Sequence, residues 1–152
     1  MKLLRGAAFL LVIPAALAAQ VAEVDVLKIL PAAEVQKFVK GPTVVGKRSE
    51  ASIAYRVTYA DQKYPTIPLI TVQVTQEKNA AEALKRMVAN EEKFAGLKST
   101  PLPGVGDEAF REDTLGRVFF RKGDKVGYVS GKGVPGIEIQ TVELAKALLA
   151  KL

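Results

Sequence analysis

Apolar and polar positions alternate most cleanly in two stretches of the chain. Over residues 52–59, Ile53, Tyr55, Val57 and Tyr59 fall on one face and Ser52, Ala54, Arg56 and Thr58 on the other. Over residues 67–75, Ile70, Val72 and Val74 oppose Thr71, Gln73 and Thr75. A period of two predicts half-buried strands, and so an antiparallel sheet with one face covered. Tyr64-Pro65-Thr66-Ile67-Pro68 lies between them, and its prolines stop either strand from running through the connection. Two further strands are expected at residues 116–121 and 125–130, joined at Gly123-Asp124 as a two-residue hairpin.

Three segments carry apolar residues at helical spacing. Residues 30–41 place Pro31 in a first helical turn and Gly41 at a C-terminal cap. Asn79, with Glu82 three residues on, reads as a capping box ahead of a stripe of Ala80, Ala83, Leu84, Met87 and Val88. The last helix is expected over residues 141–152, with Leu144, Ala145, Leu148, Leu149 and Leu152 inside and Glu143, Lys146 and Lys151 outside. The resulting order, α-β-β-α-β-β-α, predicts an α+β fold: an antiparallel sheet with helices packed mainly on one face. No internal repeat or low-complexity linker divides residues 19–152, which read as a single domain.

Residues 1–18 read as a signal peptide. Lys2 and Arg5 give a basic start, residues 9–13 an apolar heart, Pro14 a helix break, and Ala16-Leu17-Ala18 a small-residue cleavage site. The uncharged run is short for a bilayer span of roughly 20 residues, so no membrane span is expected after cleavage. The protein is therefore expected to be exported, to a periplasm or outside the cell. Removing Lys2 and Arg5 from the 22 basic side chains leaves 20 against 16 acidic ones, a net +4. That charge is spread along the chain, its longest basic cluster being Gly46-Lys47-Arg48, so nucleic acid is not expected as a partner.

The composition excludes most catalytic machinery. The chain has no His and no Cys, hence no Ser-His-Asp triad, no thiolate nucleophile, no disulfide and no zinc finger. No metal or cofactor is expected. Gly41-Pro-Thr-Val-Val-Gly46-Lys47-Arg48 approaches the phosphate loop but has Arg48 where a magnesium-binding hydroxyl is needed, and reads as a helix stop followed by an edge strand. Gly131-Lys-Gly133-Val-Pro-Gly136 and Gly104-Val-Gly106-Asp-Glu-Ala109 match dinucleotide-loop patterns without the strand and acidic residue such a fold requires, and read as turns. None of the four serines has a lysine three residues on. A hydrolase working through paired carboxylates would need a cross-pair such as Asp107 with Glu112.

Binding residues are more promising. With Gly123-Asp124 at the tip, Arg121 faces Val126, Phe119 faces Tyr128 and Arg117 faces Ser130. Arg117, Phe119, Arg121 and Tyr128 then share one sheet face, an aromatic pair between two guanidinium groups that suits an anionic or sugar-like ligand. The same spacing also fits an aromatic cross-strand pair that the arginines merely cover. Asp107 and Glu108, at the end of the rigid loop starting at Pro101, form the second candidate; there Asp107 is alternatively a turn residue bonded to neighbouring backbone.

Pro103-Gly-Val-Gly-Asp-Glu-Ala109, Arg121-Lys-Gly-Asp124 and the closing run 144–152 resemble small exported bacterial domains of unknown function. These are similar to the extracellular sensor domain of some bacterial receptor serine/threonine kinases. The likeness spans residue 30 to the C-terminus and implies an α+β domain with a ligand cleft. Such domains commonly carry disulfides and a lipid-anchoring Cys; this chain has neither, so their tethering and sensor wiring do not carry over. The expectation is an exported, non-enzymatic binding or sensor-like domain for an envelope ligand or protein partner. The alternative is a structural or accessory subunit of an envelope complex.

Overall fold

A computed structural model describes residues 22–49, 56–131, 133 and 135–152. Residues 1–18, expected to be a signal peptide, and the first part of the strand expected from residue 52 lie outside the described residues. The described chain begins with β1 (Ala22–Glu23), two short helices, α1 (Val26–Ile29) and α2 (Ala32–Val35), and a 3-10 turn, Gln36–Phe38. Strands β2 (Val39–Lys40), β3 (Val44–Ser49), β4 (Arg56–Asp61) and β5 (Pro68–Gln76) lead into helix α3 (Ala80–Ala95). Strands β6 (Thr100–Pro101), β7 (Glu108–Glu112), β8 (Arg117–Lys122), β9 (Lys125–Ser130) and β10 (Glu138–Ile139) precede helix α4 (Thr141–Leu149).

The main sheet runs β3-β4-β5-β9-β8-β7-β6, with β1 also paired to β5, and its paired strands are antiparallel. The fold is thus α+β, but each half contributes three principal strands before its long helix. The third strand of each half, β5 and β9, pair at the centre. The extra strands have local causes. The segment after Gly41, which resembles a phosphate loop only in its letters, is the edge strand β3. The Gly104–Gly106 turn releases the chain directly into β7.

Val57, Tyr59, Ile70, Val72, Val74, Val118, Phe120 and Val129 supply the sheet side of the larger core, against which Val26, Leu30 and Val35 of the N-terminal segment and Leu144, Ala145, Leu148 and Leu149 of α4 pack. The buried Tyr59 hydroxyl donates to the Leu30 carbonyl at 2.6 Å, satisfying its polar atom, and burial pushes its pKa up. A smaller core joins Ala83, Leu84 and Val88 of α3 to Phe119 and Val126. By strand alternation Phe119 and Phe120 point to opposite faces, so α3 and α4 clamp the β8–β9 hairpin from its two sides.

Two helix ends differ from expectation. The helix predicted over 30–41 stops at Val35, because Gln36 turns the chain: its Nε2 donates to the carbonyls of Val39 and Pro42, and its Oε1 accepts from Val44 N–H. Val39–Lys40 then pairs with Glu138–Ile139, and Gly41 follows a strand instead of capping a helix. Asn79 does precede α3, yet its side chain makes no capping bond, since its backbone (φ −114°, ψ 62°) departs from the extended geometry of an N-cap.

Candidate functional site

The β8–β9 register places Arg121 opposite Val126, Phe119 opposite Tyr128 and Arg117 opposite Ser130, as the sequence predicts. The four candidate residues do share a face, and α3 lies over part of it. Phe119 is 1% exposed, pressed under Ala83, Leu84 and Val88, with its ring centroid 6.1 Å from that of Tyr128. It therefore offers no free ring face for stacking. Its role is core packing, and only Tyr128 remains half-buried at the helix margin. The Arg117 guanidinium carbon lies 5.4 Å from the Tyr128 ring centroid and 5.8 Å from that of Phe119, and Glu91 of α3 pairs with it.

Arg121 and the loop candidates form a separate structural clasp. The Asp107 carboxylate accepts from Gly123 N–H at 2.7 Å and from Arg121 Nη1 at 3.0 Å, while Asp107 N–H donates to the Arg121 carbonyl at 2.8 Å. Glu108 lies 3.7 Å from Arg121 Nε. Asp107 thus bonds backbone, but across the hairpin tip and not within its own turn. The preceding Gly106 has φ +61°, and a Cβ there would overlap the Arg121 carbonyl. Glu112 is likewise engaged: buried, it accepts from the backbone N–H groups of Thr114 and Leu115. Burial pushes its pKa up, but those bonds and the nearby Arg117 outweigh it and hold the carboxyl below its ordinary value.

A more open arrangement lies beside α3, where the sheet continues past the helix onto β5, β4 and β3. One cross-strand row runs Lys47, Thr58, Thr71, Ser130, Arg117; the next includes Gln73 opposite Tyr128. Lys47 and Arg56 are exposed, and Thr58, Thr71 and Gln73 are half-buried. Arg56 Nε donates to Gln73 Oε1 at 3.3 Å. Burial raises the pKa of the Tyr128 hydroxyl; the charges of Arg56 and Arg117 oppose that rise and Glu91 adds to it, so all three charged groups act on this phenol. Arg117 thus lies over the Tyr128 ring, and Arg56 is bonded to Gln73, the residue opposite Tyr128, at a step between helix and sheet floor.

Arg117 and Tyr128 were legible in the sequence as candidates; Arg56 and Gln73 were not. Their signal was the polar side of each strand's alternation, which could not reveal that β5 pairs with β9. A second concavity, of about 320 Å³, lies at the start of α4 and is lined by Arg111, Gly116, Gln140 and Thr141 among others. Arg117 also borders it, Thr141 Oγ1 donates to the Gly131 carbonyl at 3.0 Å, and Arg111 pairs with Asp113. Among the described residues no helix is long and apolar enough to cross a membrane. No family model, curated protein or solved structure matches this chain.

Proposed function

We propose that the protein is an exported, non-enzymatic binding module for an anionic, hydroxyl-bearing component of the cell envelope. The observation that carries this reading is the placement, on the sheet face beside α3, of Arg117 over the Tyr128 ring and of Arg56 on Gln73, the residue paired with Tyr128. Guanidinium groups pair with carboxylates or phosphates through directed hydrogen bonds, while Gln73, Thr58 and Thr71 offer partners to hydroxyls along the same floor. Lys47 extends the positive charge toward the sheet edge. The likeness of the 103–109 and 121–124 segments to exported sensor domains, and the signal-like residues 1–18, support the export assignment.

An accessory subunit docking through this face would favour a broad apolar surface, whereas the open strands present charged and polar side chains. A carboxylate hydrolase is disfavoured because Asp107 and Glu112 already hold backbone N–H groups in structural turns. Calorimetric titration with muropeptides and with an anionic glycan tests the proposal. Arg56→Gln should weaken binding at least tenfold, the loss of about 1.5–3 kcal/mol from a charged hydrogen bond. Arg121→Gln, which alters the clasp, should leave the affinity of folded protein unchanged. Equal affinity for the parent and Arg56→Gln would reject this site.

A further inference from the structure

Among the described residues three large hydrophobic side chains stand exposed: Tyr64 (61%), Ile67 (60%) and Phe94 (81%). Tyr64 and Ile67 belong to the loop between β4 and β5, and Phe94 to the last turn of α3. The registers bring both places to one end of the molecule. Thr71, three residues into β5, pairs with Ser130, and Ser130 pairs with Arg117. Helix α3 runs from the opposite end of β5 and reaches that level at Glu91, which pairs with Arg117, so Phe94 lies one turn beyond it. The loop that ends at Pro68 lies beyond the same level.

The loop is held by its own hydrogen bonds despite its exposure. Tyr64 N–H donates to the Asp61 carbonyl at 2.9 Å, Ile67 N–H to the Tyr64 carbonyl at 3.0 Å, and Lys63 N–H to Asp61 Oδ1 at 2.9 Å. Pro65 and Pro68 add fixed backbone angles. Holding two apolar side chains outward on such a loop avoids much of the entropy cost of ordering them on contact. Exposed lysines adjoin them: Lys63 in the loop, and Lys93 and Lys98 near the helix end, with Lys93 Nζ 5.6 Å from the Phe94 ring centroid. Of the neighbouring acids, Asp61 accepts the Lys63 N–H of its own turn and Glu92 accepts the Ser99 N–H beyond the helix end.

We propose that this end is a membrane-contacting tip, seating Tyr64, Ile67 and Phe94 in the headgroup layer of a bilayer while the lysines meet anionic lipid phosphates. Separate apolar projections with cationic neighbours suit a deformable interface, where aromatic rings settle at headgroup depth and lysines reach the surface. This contact is peripheral, and goes beyond the ligand reading of the sheet face without requiring it.

The chain lacks Trp, so each introduced Trp is a sole reporter. In the full chain, Tyr64→Trp and Phe94→Trp should shift to the blue on adding vesicles of equal parts phosphatidylglycerol and phosphatidylcholine, and brominated acyl chains should quench them. Lys78→Trp, exposed just before α3 at the opposite end, should do neither. The double variant Tyr64→Ser/Ile67→Ser should lower partitioning about tenfold, and phosphatidylcholine alone should bind more weakly. Unchanged emission at residues 64 and 94, or equal quenching at residue 78, would overturn the proposal. Equal partitioning into both vesicle types would overturn the role given to the lysines.

Discussion

Gly106 and Asp107 are two residues whose sequence identity has a full structural reason. Gly106 combines φ +61° with close approach to the Arg121 carbonyl, so Gly106→Ala adds both backbone strain and overlap; a loss above about 2 kcal/mol is expected in denaturant melts. Glu112 makes the corresponding electrostatic case. Its carboxyl titrates lower in the folded protein than in the unfolded chain. Its contribution is therefore present at neutral pH, above the unfolded pKa, and is lost as pH falls through the folded value. Glu112→Gln should cost about 1–3 kcal/mol at neutral pH and flatten the acid limb of the stability–pH curve, as read by melts at matched ionic strength. Neither role was visible from composition. The sequence marked a turn at 104–107, while the partner of Asp107 lies across the β8–β9 hairpin and enters only through the fold.

Individual elements were the most legible level. The apolar stripes of α3 and α4 are the buried ones: Ala83, Leu84 and Val88 in one, Leu144, Ala145, Leu148 and Leu149 in the other. The β8–β9 register follows from its two-residue tip alone. What alternation cannot supply is which helix covers which face. Strand alternation alone leaves Phe119 open as a ligand-stacking ring or a covered cross-strand partner of Tyr128, because nothing local says that α3, some thirty residues earlier, lies on it. Phe119→Ala should cost about 3–5 kcal/mol through the cavity it leaves. Phe119→Leu should fold and retain ligand affinity, since the ring is enclosed and its contribution to the site is support. Loss of affinity in a fully folded Phe119→Leu would return that ring to the binding site.

Across the whole molecule, the same hairpin held between α3 and α4 organises both proposed surfaces. Helix α3 covers β8 and β9, leaves side chains of β3, β4 and β5 accessible among the described residues, and ends at the same end of the sheet as the β4–β5 loop, with Phe94 exposed. Half of the binding constellation, Arg117 and Tyr128, was legible because a hairpin is local; Arg56 and Gln73 joined it through the β4–β5–β9 pairing, which no short-range pattern encodes. The central claim is that this open floor binds an envelope anion. The most direct measurement is an amide NMR titration with muropeptides, anionic glycans and soluble lipid headgroups at low and moderate salt. Saturable shifts centred on Arg56, Gln73, Arg117 and Tyr128 that persist at moderate salt are expected. Shifts spread diffusely over the surface and erased by salt, or no shifts with any of the three, would contradict it.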